Sequence, residues 1–229
     1  FSGSDLIVEN IEVKNSGGFS NGQISYCEIS NCYGENLANS GDGYHAGAFF
    51  ICDQCSFENI IVRNITITAS GGAVGGFVAM SFGCDFVDCI ILGANLSGTY
   101  VGGFAGDAFG GSWQRCYVLG LTAAASYRIG GFASFSSGRN GNEAVFEKCI
   151  AQGILQSEAM YAGGFVGESY HADYRECGAD VSVENDGDFV GGFLGFVNSD
   201  RAVFENCYAL GDSVSIDDSA TSNGGFVGE

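Results

Sequence analysis

Proline is absent from the 229 residues, and 8 basic residues face 27 acids, for a formal net charge of −19. Lys occurs only as Lys14 and Lys148, and His only as His45 and His171. Each shortage excludes something. Without proline or glycine at every third position, the chain is not collagen-like, although Gly numbers 38. Nucleic-acid footprints are basic, so DNA or RNA binding is excluded on charge, and anionic lipid surfaces are disfavoured likewise. No apolar run reaches the roughly 18 residues that suggest a membrane-spanning helix. The first residue is Phe rather than Met, and no signal peptide is visible. That reads as a processed chain or a piece of a longer one. A hydrophobic share of 46% argues against disorder.

What is present is a repeat. Gly-Gly-Phe recurs with its aromatic ring at Phe19, Phe77, Phe104, Phe132, Phe165, Phe193 and Phe226, and Gly47-Ala48-Phe49 is a degenerate copy. Successive Phe are 30, 28, 27, 28, 33, 28 and 33 residues apart. Between them runs an aromatic-x-x-Cys segment: Phe86 to Cys89, Trp113 to Cys116, Phe146 to Cys149, Tyr174 to Cys177 and Phe204 to Cys207. Ile29 to Cys32 is an aliphatic version, and Phe57 to Ile60 and Val8 to Ile11 lack the Cys.

Aligned on the Cys, the position five before it is apolar or small throughout, from Leu6, Cys27, Cys55 and Cys84 to Ala202. The position two after it is mostly Val, Ile or Ala. These offsets have the period of two that marks a strand. The three-residue step from aromatic to Cys breaks phase and predicts a corner or bulge with its polar pair facing out. No sustained 3.6-residue pattern occurs. The expected fold is therefore all-β, a β-solenoid of about eight coils, roughly 27–33 residues each, as a single domain over residues 1–229. Identical positions would stack at about 4.8 Å, with the Phe inside. A β-propeller blade needs about 40–45 residues or more, longer than this repeat.

Gly-Gly-Phe-Val-Gly at 163–167 and 224–228, with Asn-Cys-Tyr-Ala-x-Gly at 206–211, resembles the GLUG repeat. That family has Gly-Gly-hydrophobic-Val-Gly followed by hydrophobic-x-Asn-Cys/Ser-Tyr-Ala-x-Gly. The resemblance runs through nearly the whole chain, which departs from it in being Cys-rich and in carrying Phe after the glycines. It implies a β-solenoid stalk or adhesive surface. Such repeats occur in large surface and secreted proteins, and also beside peptidase domains that cleave immunoglobulin A. The repeats bring no known catalytic residues.

Of ten cysteines, Cys32, Cys89, Cys116, Cys149, Cys177 and Cys207 share one column. These are expected to be small buried hydrophobes. Cys27, Cys52, Cys55 and Cys84 crowd into three coils, and at least one disulfide is expected among them, implying an oxidising compartment. Cys52-x-x-Cys55 has zinc-ligand spacing but no second pair or His nearby in sequence, so no metal is expected there.

No catalytic residue is expected. There is no Gly-x-Ser-x-Gly elbow, and the two His lie in different coils. Asp42, Asp85, Asp88, Asp107 and Asp173 are scattered over different columns, although stacking can bring remote carboxylates together. Loop acids Asp42, Asp186, Asp188, Asp217 and Asp218 suit calcium weakly, without an EF-hand or nonapeptide pattern. No cofactor is expected. Thr66-x-Thr68 is too short for an ice-binding ladder. Asn64 and Asn95 head glycosylation sequons.

The expectation is a secreted or surface-exposed, non-enzymatic structural protein: a stalk, fibre subunit or adhesin shaft. The chain opens on a Cys-type half coil and closes on a Gly-Gly-Phe half coil, so end-to-end self-association is expected. The alternative is an adhesion module holding a host-surface or matrix glycan or protein on variable loops. A polysaccharide-acting β-helix enzyme ranks behind both.

Overall fold

The computed structural model describes residues 2–20, 22–41, 45–138, 142–198, 202–211, 214–216 and 222–228. The described residues contain no α-helix, and therefore none long and apolar enough to cross a membrane. They form two parallel 14-stranded sheets, face A and face B, wound as a solenoid. One coil shows the plan. Val78–Val87 runs along face A, Ile90–Gly102 along face B, and the chain then turns at Gly102-Gly103 into the next face-A strand, Ala105–Gln114. Val78 pairs with Ala105 and Ile90 with Tyr117, so each strand lies in register on its counterpart one coil on.

The solenoid completes about 6 turns, fewer than eight. Its end coils contribute only short strands, such as Gly3–Ser4 and Tyr208–Ala209. Eight Phe rings nevertheless stack without a break from Phe19 to Phe226, at centroid steps of 4.7 to 5.1 Å. A second ladder, Phe57, Phe86, Trp113, Phe146, Tyr174 and Phe204, stacks beside it. Rings of the two ladders meet edge to face, as Phe77 and Phe86 do at 89°. That geometry sets positive ring edges against negative faces, while stacking excludes water. Tyr174 fits the ladder because its hydroxyl donates to Ser169 Oγ at 2.7 Å and lies 2.7 Å from Ser136 Oγ.

The predicted corner between aromatic and Cys is real. The residue before each Cys is left-handed: Asn31, Asp88, Arg115, Lys148, Glu176 and Asn206 all have φ of 52 to 54° or 55°. Asn and Asp adopt this most readily, and for Arg, Lys and Glu it costs about 1–2 kcal/mol. Coil-to-coil hydrogen bonds hold the corner, with Arg115 N–H donating to the Glu147 carbonyl and Lys148 N–H to the Arg175 carbonyl, both at 2.9 Å.

The two glycines of each Gly-Gly-Phe do different work. A Cβ on Gly102 would overlap the Ala105 carbonyl of its own turn and lie 2.6 Å from Ser134 N. A Cβ on Gly103 would overlap the Gly131 carbonyl one coil on. The first glycine permits the turn and the second permits coils to stack.

Candidate functional site: the cleft beside the Gly-Gly turns

The Gly-Gly turn reverses the chain so sharply that residues flanking it face each other outside the core. In the six middle copies, the position four before the Phe carries His45, Ala73, Tyr100, Arg128, Tyr161 and Phe189. Tyr100, Arg128, Tyr161 and Phe189 are register partners in sequence along face B. Opposite them on face A lie Ile51, Met80, Asp107, Phe135, Glu168 and Phe196, also in register. Gly106, Gly167 and Gly195 take the face-A position just past three of the turns, and a Cβ on Gly167 would lie 2.8 Å from the Ile129 carbonyl oxygen.

At the centre, Arg128 Nη1 donates to Glu168 Oε2 at 2.7 Å and Nη2 to Asp107 Oδ1 at 3.3 Å. The guanidinium lies 4.7 Å from both the Tyr100 and Phe135 ring centroids. Ser134 Oγ, 3.2 Å away, donates to Asp107 Oδ1. All three charged side chains are only 11 to 14% exposed. Burial raises the Asp107 carboxyl above its usual range, opposed by attraction to Arg128. Burial also lowers His45, which accepts a bond from Ala73 N–H through Nδ1 at 3.1 Å.

Half-exposed aromatic rings continue from this cluster along the axis. Tyr127 touches Tyr100 and Tyr161 at 5.6 and 5.8 Å. Tyr161 meets Phe189 at 5.2 Å and Phe196 at 5.4 Å, and Phe135 meets Tyr170 at 5.5 Å. Of the acids singled out in sequence that lie among the described residues, only Asp107 joins this cluster. Asp85 accepts from Ser112, Asp88 pairs with Arg115, and Asp173 pairs with Arg175. Arg128, Glu168 and the aromatic rail were missed. From Phe77 to Phe193 the signal available was the offset pair four before and three after each Phe.

All ten cysteines are free thiols, which corrects the disulfide expected among Cys27, Cys52, Cys55 and Cys84. Stacking in register sets the thiols of Cys27, Cys55 and Cys84 one above another without a covalent bond, each also within donating distance of a backbone carbonyl. Cys27 N–H donates to Cys55 Sγ and Cys55 N–H to Cys84 Sγ, each at 3.4 Å, while Cys27 Sγ donates to the Ser25 carbonyl at 3.2 Å. Cys52 stands in a different column, paired with Ser81. The inference of an oxidising compartment falls with the disulfide. Cys84 bonding holds the Cys55 thiol down at about 7, whereas burial pushes Cys52 and Cys84 well up. Cys27 and Cys55 border a separate concavity of about 780 Å³ with Tyr26, Asp53, Phe82 and Phe109.

The six-member column behaves as expected, with Cys32, Cys89, Cys116, Cys149 and Cys177 buried and Cys207 half-buried. Each thiol from Cys89 onward lies within donating distance of the preceding coil's aromatic carbonyl, as Cys149 does to Trp113 at 3.3 Å. Thiol titration should therefore count ten groups after unfolding without reductant, and few fast-reacting groups in the native protein. A count of eight or fewer would reinstate a disulfide.

Among the described residues no three His, Cys, Asp or Glu side chains converge to hold a metal. Asp42, Asp217 and Asp218 lie outside the described residues. Asn64 and Asn95 are both exposed. Asn64 donates to Asn36 Oδ1 at 3.2 Å in a surface ladder.

No family model matches the chain, and no curated protein does. Among solved structures, the chain is similar in fold to the crystal structure of a "putative immunoglobulin A1 protease" from Bacteroides ovatus. The TM-score is 0.67 at 16% identity, over 95% of this chain and 70% of that one. That likeness establishes the solenoid fold.

Proposed function

We propose that this chain is a non-enzymatic structural rod of the cell exterior, a stalk, fibre subunit or adhesin shaft, that stacks end to end. The observation that carries this reading is the pair of unbroken aromatic ladders, which join the described coils into one continuous rod. At one end Ile11, of the Cys column, is 42% exposed; at the other Phe204, of the aromatic column, is 37% exposed. These are side chains of core columns, left open where a further coil would cover them. The two faces are complementary in kind. The Phe204 column continues into Val8, and the Phe226 column into Phe19. A heterologous contact of this type propagates without closing. The −19 charge keeps the flanks of such rods apart, and the likeness of residues 206–211 and 224–228 to the GLUG motif supports a surface or secreted setting.

Electron microscopy of the purified chain at micromolar concentration tests this. Fibres with an axial repeat near one rod length are expected. Gly225 has no atom within 4 Å of its would-be Cβ, so Gly225→Val should leave the rod folded but stop it growing. Short rods at every concentration would refute end-to-end assembly.

A further inference from the structure

We propose that the cleft beside the Gly-Gly turns binds a neutral polysaccharide lying along the rod axis. Three observations converge on this. First, Tyr100, Tyr127, Tyr161, Phe189 and Phe196 form a connected rail of partly exposed rings outside the core ladders, and Phe135 joins Tyr100 across the Arg128 guanidinium. Tyr127 is 41% exposed and stands at 83° and 76° to Tyr100 and Tyr161. A core-only role would bury these rings, and contiguous apolar surface of this kind marks an interaction site.

Second, the rail is paired with fixed polar groups. Arg128 is locked by Asp107 and Glu168 between two aromatic rings. Tyr170 Oη is held by Asn198 Nδ2 at 3.0 Å. Aromatic walls with a few rigid hydrogen-bonding groups are what sugar rings need, with their apolar faces and hydroxyl edges.

Third, charge selects the occupant. Ring ligands that present an apolar face to an aromatic wall include nucleic-acid bases and sugars. The net charge of −19 rejects phosphodiester chains and anionic glycans alike, and the one guanidinium in the cleft is already neutralised by two carboxylates. Neutral sugars remain. The rail repeats with the coil, at ring steps of 5.2 to 5.8 Å, so a polymer whose rings follow one another along the axis meets one coil after another.

The test is affinity electrophoresis of the intact chain in gels holding mixed-linkage β-glucan or galactomannan, with polygalacturonate as the anionic counterpart. Retention on immobilised gelatin is measured in parallel. Retardation by at least one neutral polysaccharide and none by polygalacturonate is expected. Tyr127→Ala and Tyr161→Ala should each weaken it about tenfold with the circular dichroism unchanged. Tyr26→Ala, in the separate concavity, should bind as the parent does. Absence of retardation by both neutral glycans, equal retardation by polygalacturonate, retention on gelatin alone, or undiminished binding by both cleft variants would overturn the proposal. Assembly is read separately through Gly225→Val, so either idea can fail without the other.

Discussion

Gly103→Ala is expected to cost more than about 4 kcal/mol, beyond the ordinary range of single substitutions. The added Cβ would overlap the Gly131 carbonyl and lie 2.9 Å from both Leu121 Cδ2 and Val118 Cγ1. The carbonyl belongs to the next coil's turn, whose amide and carbonyl groups already bond between coils; Gly103 N–H donates to the Gly130 carbonyl and Phe104 N–H to the Phe132 carbonyl. Relief would require the coils to separate locally, breaking the Phe104–Phe132 stack, now at 4.9 Å. The same substitution at Gly225, the corresponding glycine with nothing above it, should change stability by less than about 0.5 kcal/mol. Urea midpoints followed by circular dichroism, at concentrations too low for assembly, make the comparison. Equal effects at the two sites would mean that the second glycine serves the turn rather than the stacking of coils.

Arg128→Met is expected to cost about 3–5 kcal/mol, because it leaves Asp107 and Glu168 buried without their shared cation. Replacing all three charged groups, as Arg128→Met with Asp107→Leu and Glu168→Met, should recover most of that loss, since the desolvation cost leaves with the ions. The loss should also depend on pH. The folded Asp107 carboxyl is already raised by burial and is held back by Arg128. Removing the arginine raises it further. A raised carboxyl costs nothing while both folded and unfolded states hold the proton, and its penalty grows as pH climbs from the unfolded value of about 3.9 through the folded one. The variant's deficit should thus be larger near pH 8 than near about pH 4. A deficit that is flat with pH, or a triple variant no better than the single one, would show that the cluster is held by ring packing on Tyr100 and Phe135 rather than by charge.

The stacked columns were legible because a solenoid gives each equivalent position the same surroundings in every coil. Phe19 to Phe226 repeat for that reason, and so do the aromatic and Cys positions three residues apart. The phase break between them marked the left-handed corner occupied by residues such as Asp88 and Lys148. Spacing also located the thiols correctly in common columns. It carried no information on where each sulfur points, so the expected disulfide among Cys27, Cys52, Cys55 and Cys84 failed. Proximity along a column is set by strand spacing, whereas bonding depends on side-chain direction.

The cleft was hidden for the opposite reason. Its walls vary from coil to coil, Tyr100 then Arg128 then Tyr161 on one side and Asp107 then Phe135 then Glu168 on the other, so alignment shows fixed offsets but no shared residue type. Sequence alone therefore determined the repeat, the strand period, the core columns and the acidic exterior, all of which follow from local pattern and stacking. Tertiary structure alone decided that the Gly-Gly turn folds two outward columns against each other. Only that reversal brings Arg128 between carboxylates from two different coils and lines up the aromatic rail beside them.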